Sequence, residues 1–217
     1  MTKVLRTPLL ETADAWEGPV SSNSPRDVVH DLAEAITPHD EQERQAQAFT
    51  LDWIASGAGL FRIQPPATPD PHLCVYAVLV DTAARKVLLA DHVKAGAWLP
   101  PGGHVDDGES PREAVLREAG EELGIEAELH PEVGEDPFFL TVTQTRGAHS
   151  HTDVSFWFVL SGCEAMALVG DPAEAHELRW FALDDPTEWT DPSRFDPGML
   201  RFVDKLATLW ETPGTVA

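Results

Sequence analysis

The sequence predicts an α/β protein in which a mixed β-sheet is sandwiched between helices, with a helical extension at the N-terminus. Two observations predict the sheet and its helices. Apolar, strand-like runs recur from residue 72 to residue 181, and one capped helix interrupts them at residues 111–123. A third observation predicts the extension, because residues 27–58 have the apolar spacing of helices.

The extension is expected to contain two helices, at residues 26–36 and 40–55. The second helix places Phe49, Trp53 and Ile54 on one stripe. A stripe of that size would not stay in water, so we expect it to pack on the rest of the chain or across a homodimer interface. Residues 1 to about 26 are rich in Pro, Ser, Thr and Gly and are expected to be loosely ordered.

The proline-dense segment 65–71 predicts a linker between an extension, residues 1–71, and a domain, residues 72–217. In the domain, residues 73–80 and 86–91 form a predicted hairpin. Residues 98–105 are predicted to form a short strand that ends in a turn, before helix 111–123. Further strands are expected at residues 126–129, 138–144, 154–160 and 177–181. A final helix at residues 197–210 carries four apolar residues on one side: Met199, Phe202, Leu206 and Leu209.

Helix 111–123 has clear signals at both ends. Ser110 supplies an N-cap hydroxyl, Pro111 fits the first helical position, and Glu113 completes a capping box. Gly124 can take the left-handed conformation that ends helices. These signals predict both the start and the end of the helix.

The helical repeat gives this helix two different faces. Leu116, Ala119 and Leu123 share an apolar face. The opposite face carries three carboxylates: Glu118, Glu121 and Glu122. Like charges at this spacing destabilise a helix unless they are neutralised, and hard divalent cations prefer such all-oxygen arrays. The carboxylates therefore predict a metal site.

The spacing around the helix follows a recognised motif. Gly103 is followed after five residues by Glu109 and after seven more by Arg117 and the first helix carboxylate, and Ile125 closes the run. This pattern, G-x5-E-x7-R-E-U-x-E-E-x-G-U, resembles the Nudix box, with a small Ala119 where the family usually has a bulkier aliphatic residue. The chain is similar to the MutT-like Nudix hydrolases, including actinobacterial ones, over about residues 72–210, and the resemblance implies the Nudix fold.

The resemblance also implies a Mg²⁺ site, at which Mn²⁺ can substitute. Glu118 and Glu122 would be the principal ligands, and the backbone carbonyl of Gly102 would join them. Glu121 would be a further ligand or would position the attacking water. The implied reaction is attack of water on phosphorus in a diphosphate.

The remaining charged positions of the motif have supporting roles in the resembled family. Glu109 and Arg117 would hold the loop against the helix. The catalytic set implied by the resemblance is therefore Glu109, Arg117, Glu121 and Glu122.

Substrate contacts are less sharply indicated. Trp98 and His104 flank the glycine turn, where they could stack on a base or serve packing. His149, His151 and Asp153 lie in a loop before a strand and could bind a phosphate edge, a base or a metal, or be incidental surface residues. The five are hypotheses for substrate binding.

Features that mark particular Nudix subfamilies are missing. Leu140 stands where the ADP-ribose type has a proline, and the only tyrosine, Tyr76, is far from the position expected for the diadenosine-polyphosphate type. A nucleoside triphosphate or another nucleoside diphosphate-linked compound remains as the expected substrate. The only asparagine, Asn23, lies outside the region where an oxidised-guanine reader needs one, which argues against 8-oxo-dGTP.

Composition limits the partners. The 217-residue chain has a formal net charge of −22, which argues against a nucleic-acid duplex or an anionic membrane as partner but not against a small phosphorylated substrate. The sequence has no run of eighteen apolar residues and no recognisable signal peptide. Cys74 and Cys163 lie in apolar runs and are expected to be reduced, buried thiols of a cytoplasmic protein.

Two other functions stay open as alternatives. A nucleotide-sensing Nudix domain would bind without turnover, but such domains usually lack carboxylates that this box retains. An isopentenyl-diphosphate-isomerase-like activity needs a cysteine and a glutamate in contexts that neither Cys74 nor Cys163 supplies.

Overall fold

The computed structural model describes residues 24–65, 68–145 and 150–211. Two helices come first, α1 (Pro25–Ala35) and α2 (Glu41–Ala55), followed by the strands and helices of the sheet domain. These are β1 (His72–Asp81), β2 (Lys86–His92), β3 (Ala97–Leu99), β4 (Gly102–His104), α3 (Pro111–Leu123), β5 (Phe139–Gln144), β6 (Thr152–Ser161), β7 (Ala175–Ala182) and α4 (Met199–Glu211). The predicted α/β fold with a helical N-terminal part is confirmed.

The described residues form one seven-stranded mixed sheet in the order β3-β2-β1-β6-β5, with β4 also paired to β1 and β7 to β2. β1 and β6 run parallel, with Val75 opposite Phe156, and the other strand pairs that the structure describes are antiparallel. β1 is buried along nearly its whole length because it is an inner strand and both faces of the sheet around it are covered. This position accounts for the near-continuous apolar run in its sequence.

Alternate residues of β1 face different helical layers. Val75 and Leu79 belong to the core that also contains the buried residues of α1, α2 and α3. Val78 and Val80 belong to a second core, on the other face of the sheet, that contains the buried face of α4. The sheet is therefore covered on both faces, as predicted, and the period of two in β1 determines which side chain faces which layer.

The helices of the extension pack on the sheet domain. Trp53 and Ile54 are buried in the same core as α3, as expected for that stripe. Phe49 does not join them and is 43% exposed. The buried stripe of α2 instead runs through Glu43 and Thr50, two polar residues, so its centre lies away from Phe49.

Glu43 is a buried carboxylate that joins three parts of the fold. Its Oε1 accepts hydrogen bonds from Lys205 Nζ of α4, at 2.8 Å, and from the backbone N–H of Leu140 in β5, at 3.2 Å. Its Oε2 accepts one from the backbone N–H of His39 at 2.7 Å. Because the carboxylate is fully buried, these partners replace the water that it loses.

Three sequence predictions about strands and burial are wrong. Residues 126–129 form no strand, because their pairing is limited to a single bridge between Leu129 and Leu160. The segment 98–105, predicted as one short strand ending in a turn, instead contains two strands, β3 and β4, separated by two prolines that cannot donate to a strand ladder. Cys163 is exposed, whereas Cys74 is buried as expected.

Two apolar helix positions are more exposed than predicted. Leu116 of α3 and Leu209 of α4 are each 37% exposed, because the buried faces of these helices are centred on other residues. In α3 the buried set includes Ala114 and Val115 in addition to the predicted Ala119 and Leu123. The segment predicted to be loosely ordered lies almost wholly outside the described residues, and none of the described helices is long and apolar enough to cross a bilayer.

Candidate active site

The predicted end signals of α3 are all present. Ser110 Oγ accepts a hydrogen bond from the backbone N–H of Glu113, and a Glu113 side-chain oxygen accepts one from the backbone N–H of Ser110 at 2.9 Å. Gly124 ends the helix with φ 67°, a conformation that glycine adopts without strain. The local sequence therefore determines both ends of the helix that carries the carboxylates.

Two glycines of β4 occupy positions where a side chain would not fit. In β4, Gly102 lies opposite Tyr76 and Gly103 opposite Val75 of β1. A β-carbon on Gly102 would lie 2.1 Å from the Val75 carbonyl oxygen, and one on Gly103 would lie 2.4 Å from Glu118 Oε1. The first glycine is required by the neighbouring backbone, and the second makes room for a helix carboxylate.

Arg117 connects the loop before α3 to the helix. Its Nε and Nη2 donate to the two oxygens of Glu109 at 2.8 and 2.9 Å, and Nη2 also donates to the carbonyl oxygen of His104 at 3.0 Å. Its Nη1 donates to Glu118 at 2.8 Å and to Glu121 at 3.1 Å. The Arg117 hydrogen bonds hold the pKa of Glu109 below its usual value. One guanidinium thus donates hydrogen bonds to three carboxylates.

Glu118 and Glu122 lie in an environment that disfavours two negative charges. Burial raises the pKa of Glu118, against the opposing effect of Arg117. Burial, followed by the charge of Glu118, raises the pKa of Glu122 to about 8, although a hydrogen bond from the backbone N–H of Gly102 acts in the opposite direction. A divalent cation bound by these carboxylates would stabilise their charged forms and so offset the effect of burial, and the donor set fits such an ion.

A cleft of about 830 Å³ opens beside these carboxylates. Glu118 and Glu121 line one side, and the carboxylate of Glu121 is 61% exposed. Among the described residues, the basic side chains that line the cleft are Arg62, Lys94 and Arg117. The cleft therefore combines carboxylates suited to a cation with positive side chains suited to phosphate.

The predicted substrate residues divide into three groups. His104, His151 and Asp153 all line the cleft. Burial lowers the pKa of His104 to about 3, so this imidazole is neutral near pH 7. Trp98 packs edge-on against Phe181 in the core and is not among the described residues that line the cleft. His149 lies outside the described residues.

Sequence reasoning missed several residues that lie in the cleft or beside it. His72 and Cys74 lie beside His104 and Asp153, and the Tyr76 hydroxyl donates to Asp196 at 3.2 Å. The alternation of β1 puts residues 72, 74 and 76 on one face, which is a signal in the sequence. The strand pairing that gives this face its neighbours could not be read from the sequence.

A protein-family model matches most of the sheet domain. The model of the NUDIX domain matches residues 70–206, which include the sheet, α3 and most of α4.

Two curated bacterial relatives match over shorter regions. A putative 8-oxo-dGTP diphosphatase of Bacillus subtilis is 32% identical over 103 residues, which cover 48% of this chain and 62% of the relative. An RNA pyrophosphohydrolase of Cereibacter sphaeroides is 33% identical over 99 residues, which cover 41% of this chain and 61% of the relative. The chain thus spans less than two thirds of the length of these relatives.

Solved structures also match. A hydrolase of the NUDIX family from Clostridium perfringens is 26% identical with a TM-score of 0.48, over 64% of this chain and 97% of that one. A MutT NUDIX hydrolase from Burkholderia pseudomallei is 26% identical with a TM-score of 0.44, over 62% and 96%.

Proposed function

The chain belongs to the Nudix hydrolase family, and from this premise we propose that it is a Mg²⁺-dependent pyrophosphohydrolase. Its substrate is a nucleoside triphosphate or another nucleoside diphosphate-linked compound, and water attacks one of the phosphorus atoms. The observation that carries the proposal is the crowding of Glu118 and Glu122 on one helix face, two partly buried carboxylates whose pKa values are raised first by burial.

The metal would be held by Glu118 and Glu122, joined by Glu121 and the Gly102 carbonyl. The site offers oxygen donors alone, as Mg²⁺ requires, and Mn²⁺ can take its place. When bound, the metal supplies neutralisation of phosphate charge and a lowered pKa of the attacking water.

The chain's own residues position the reactants. Arg117 and Glu109 fix the loop 104–109 against α3, so that the glycine turn and the carboxylates keep one geometry. Glu121, with its exposed carboxylate on the cleft, orients the attacking water. Arg62 and Lys94 bind substrate phosphate from the other parts of the cleft lining.

A small substrate agrees with the charge and the cleft. The cleft volume, about 830 Å³, is in the range of small-molecule sites. The net charge of −22 opposes extended contact with a polynucleotide backbone, so we favour a free nucleotide over RNA. A cytoplasmic location is part of this proposal, since nucleotides and Mg²⁺ are available there.

The test is a substrate panel with purified full-length protein. Nucleoside triphosphates, deoxynucleoside triphosphates, ADP-ribose and dinucleoside polyphosphates are incubated with Mg²⁺ or Mn²⁺, and the phosphate products are identified. We expect metal-dependent release of pyrophosphate or a nucleoside monophosphate from one class, and none from Glu122→Gln. Nucleotide binding without turnover by the wild type would instead favour a sensing domain.

A further inference from the structure

Four side chains with metal-binding atoms meet at the start of β1, and strand pairing brings them together. His72 lies opposite Asp153 in the parallel pair β1–β6, and Cys74 lies opposite His104 in the antiparallel pair β1–β4. Residues 72 and 74 point to the same face of β1 because strand side chains alternate. One donor atom from each of the four lies within 4.8 Å of the others.

The imidazole of His72 is fully buried, and its Nε2 atom faces the other three side chains of this group. Nδ1 lies 2.8 Å from the carbonyl oxygen of Pro69, an acceptor, so Nδ1 carries the proton. Nε2 therefore has a lone pair directed at the group in the neutral ring, and it lies 3.2 Å from Asp153 Oδ1. Two acceptors at this distance need either a proton or a cation between them.

Hydrogen bonding within the described residues leaves this group unsatisfied. The buried atoms His72 Nε2, His104 Nε2 and Asp153 Oδ1 have no hydrogen bond of normal geometry to any described residue. Buried polar atoms are nearly always partnered, so three in one place point to a ligand.

We propose that His72, Cys74, His104 and Asp153 bind a divalent transition-metal ion of the Zn²⁺ class, at a site separate from the carboxylates of α3. Two imidazoles, a thiolate and one carboxylate are a donor set for zinc-like ions, whereas Mg²⁺ prefers oxygen donors alone. Tetrahedral ligands at zinc bond lengths are about 3.3–3.8 Å apart. The present spacing needs only a small inward movement of the side chains to reach this geometry.

The charges balance in this buried place. On binding, Cys74 loses its S–H proton to solvent, and the thiolate and the Asp153 carboxylate together neutralise the two positive charges of the ion. The two imidazoles remain neutral. A neutral complex is compatible with burial, whereas an isolated carboxylate is not.

Neighbouring groups hold the ligands in place, as is usual around metal sites. The Pro69 carbonyl orients His72 through Nδ1. His151 Nε2 lies 3.2 Å from Asp153 Oδ1, and the His151 ring stacks on His72 with centroids 4.8 Å apart. Four protein ligands close the coordination, so the ion joins β1, β4 and β6 beside the cleft and stabilises the fold.

The test uses Co²⁺ as a spectroscopic probe of the full-length protein, with excess Mg²⁺ present to occupy the α3 carboxylates. We expect one Co²⁺ per chain, intense visible bands of a tetrahedral ion and a thiolate-to-cobalt charge-transfer band, all abolished by one equivalent of Zn²⁺. Cys74→Ser removes the charge-transfer band, and Asp153→Asn weakens binding by more than about tenfold. Cys163→Ser, the other cysteine, and Glu122→Gln leave the spectrum unchanged.

A Co²⁺ spectrum without a thiolate band in folded wild-type protein would overturn the proposal. A band that persists in Cys74→Ser would also overturn it, as would binding that excess Mg²⁺ prevents. Thermal melting of each variant without metal establishes that it is folded. The readout is metal binding, so it is independent of whether the protein hydrolyses any nucleotide tested.

Discussion

The carboxylate of Glu118 occupies the space that a side chain on residue 103 would need. A β-carbon on Gly103 would lie 2.4 Å from Glu118 Oε1 and 2.6 Å from its carboxyl carbon. The glycine of the box is therefore explained by a contact within the site, and its neighbour Gly102 by contact with the backbone of β1. The two glycines should respond differently to substitution.

Gly103→Ala is expected to lower activity while leaving the fold nearly intact. The added methyl group displaces only the end of a flexible side chain, so stability should fall by about 1 kcal/mol or less. Displacing Glu118 should lower turnover by at least about tenfold. That is the lower end of the loss seen when the groups that orient a metal ligand are changed. Urea unfolding and steady-state kinetics measure the two effects.

Gly120→Ala is the matched control, at a glycine of α3, the helix that carries Glu118. The nearest atom to its added β-carbon is the Ile125 carbonyl oxygen at 3.6 Å, an ordinary contact. It should leave activity unchanged and raise stability by up to about 1 kcal/mol, since alanine favours helix more than glycine does. Equal activities of Gly103→Ala and Gly120→Ala would contradict the role given to Gly103.

Arg117→Ala should lower both stability and turnover. It removes the partner shared by Glu109, Glu118 and Glu121, so the loop is released and the carboxylates repel one another. Glu109→Gln should have a smaller effect because Arg117 keeps its other partners. If Glu109→Gln lowers turnover more than Arg117→Ala does, the bracing role of this pair is wrong.

Lys205→Met should be among the most destabilising single changes in the extension interface. It leaves Glu43 buried without its cation, at a cost of about 3–5 kcal/mol. The double variant Glu43→Gln with Lys205→Met should recover a large part of this loss, because the uncompensated charge is gone. Arg44→Met, which breaks an exposed pair with Glu41, should cost less than about 1 kcal/mol in the same urea unfolding experiment.

Asp40 gives the extension a pH-dependent link to α4. Its two carboxylate oxygens accept hydrogen bonds from Arg201 at 2.6 and 2.7 Å, and these hydrogen bonds are the main cause that lowers the pKa of Asp40 from 3.8 to about 2. Because the folded-state pKa is the lower one, the stabilisation is complete above the unfolded value of 3.8 and is lost as the pH falls through about 2.

Asp40→Asn should therefore destabilise the protein at pH 7 by at most about 2 kcal/mol. The difference from the wild type should shrink as the pH approaches 2 in a series of urea unfolding curves. Asp52→Asn, at an exposed position of the same helix, should show no such difference at any pH. Asp40 Oδ1 also accepts a hydrogen bond from the backbone N–H of Glu43 at the start of α2, and a pH-independent loss in Asp40→Asn would assign the effect to this cap and not to the charge.

The parts of the fold that sequence could predict are those with local signals. The ends of α3 follow from Ser110 and Gly124, and the carboxylate face follows from helical spacing. The prediction that Phe49 is buried is wrong for a physical reason. The buried face of α2 includes the polar residue Glu43, because Lys205, distant in sequence, neutralises its charge. Apolarity alone could not identify that stripe.

The group around His72 is a second feature that local sequence signals could not predict. Its members come from three strands, and only the pairing of β1 with β4 and β6 makes them neighbours. The sequence indicated His104 and Asp153 separately as substrate residues but gave no reason to join them to Cys74. Long-range strand pairing is the information that a single sequence lacks.

We propose that Glu118 and Glu122 hold the catalytic metal, and a metal titration of hydrolysis tests this assignment. Rates are measured against Mg²⁺ concentration for the wild type, Glu118→Gln, Glu122→Gln and the exposed control Glu126→Gln. Both site variants should lose turnover by at least about 10-fold and need more metal for half-saturation, with stability unchanged or slightly raised. The control should match the wild type. Wild-type rates at the same half-saturating Mg²⁺ in both site variants would contradict the account.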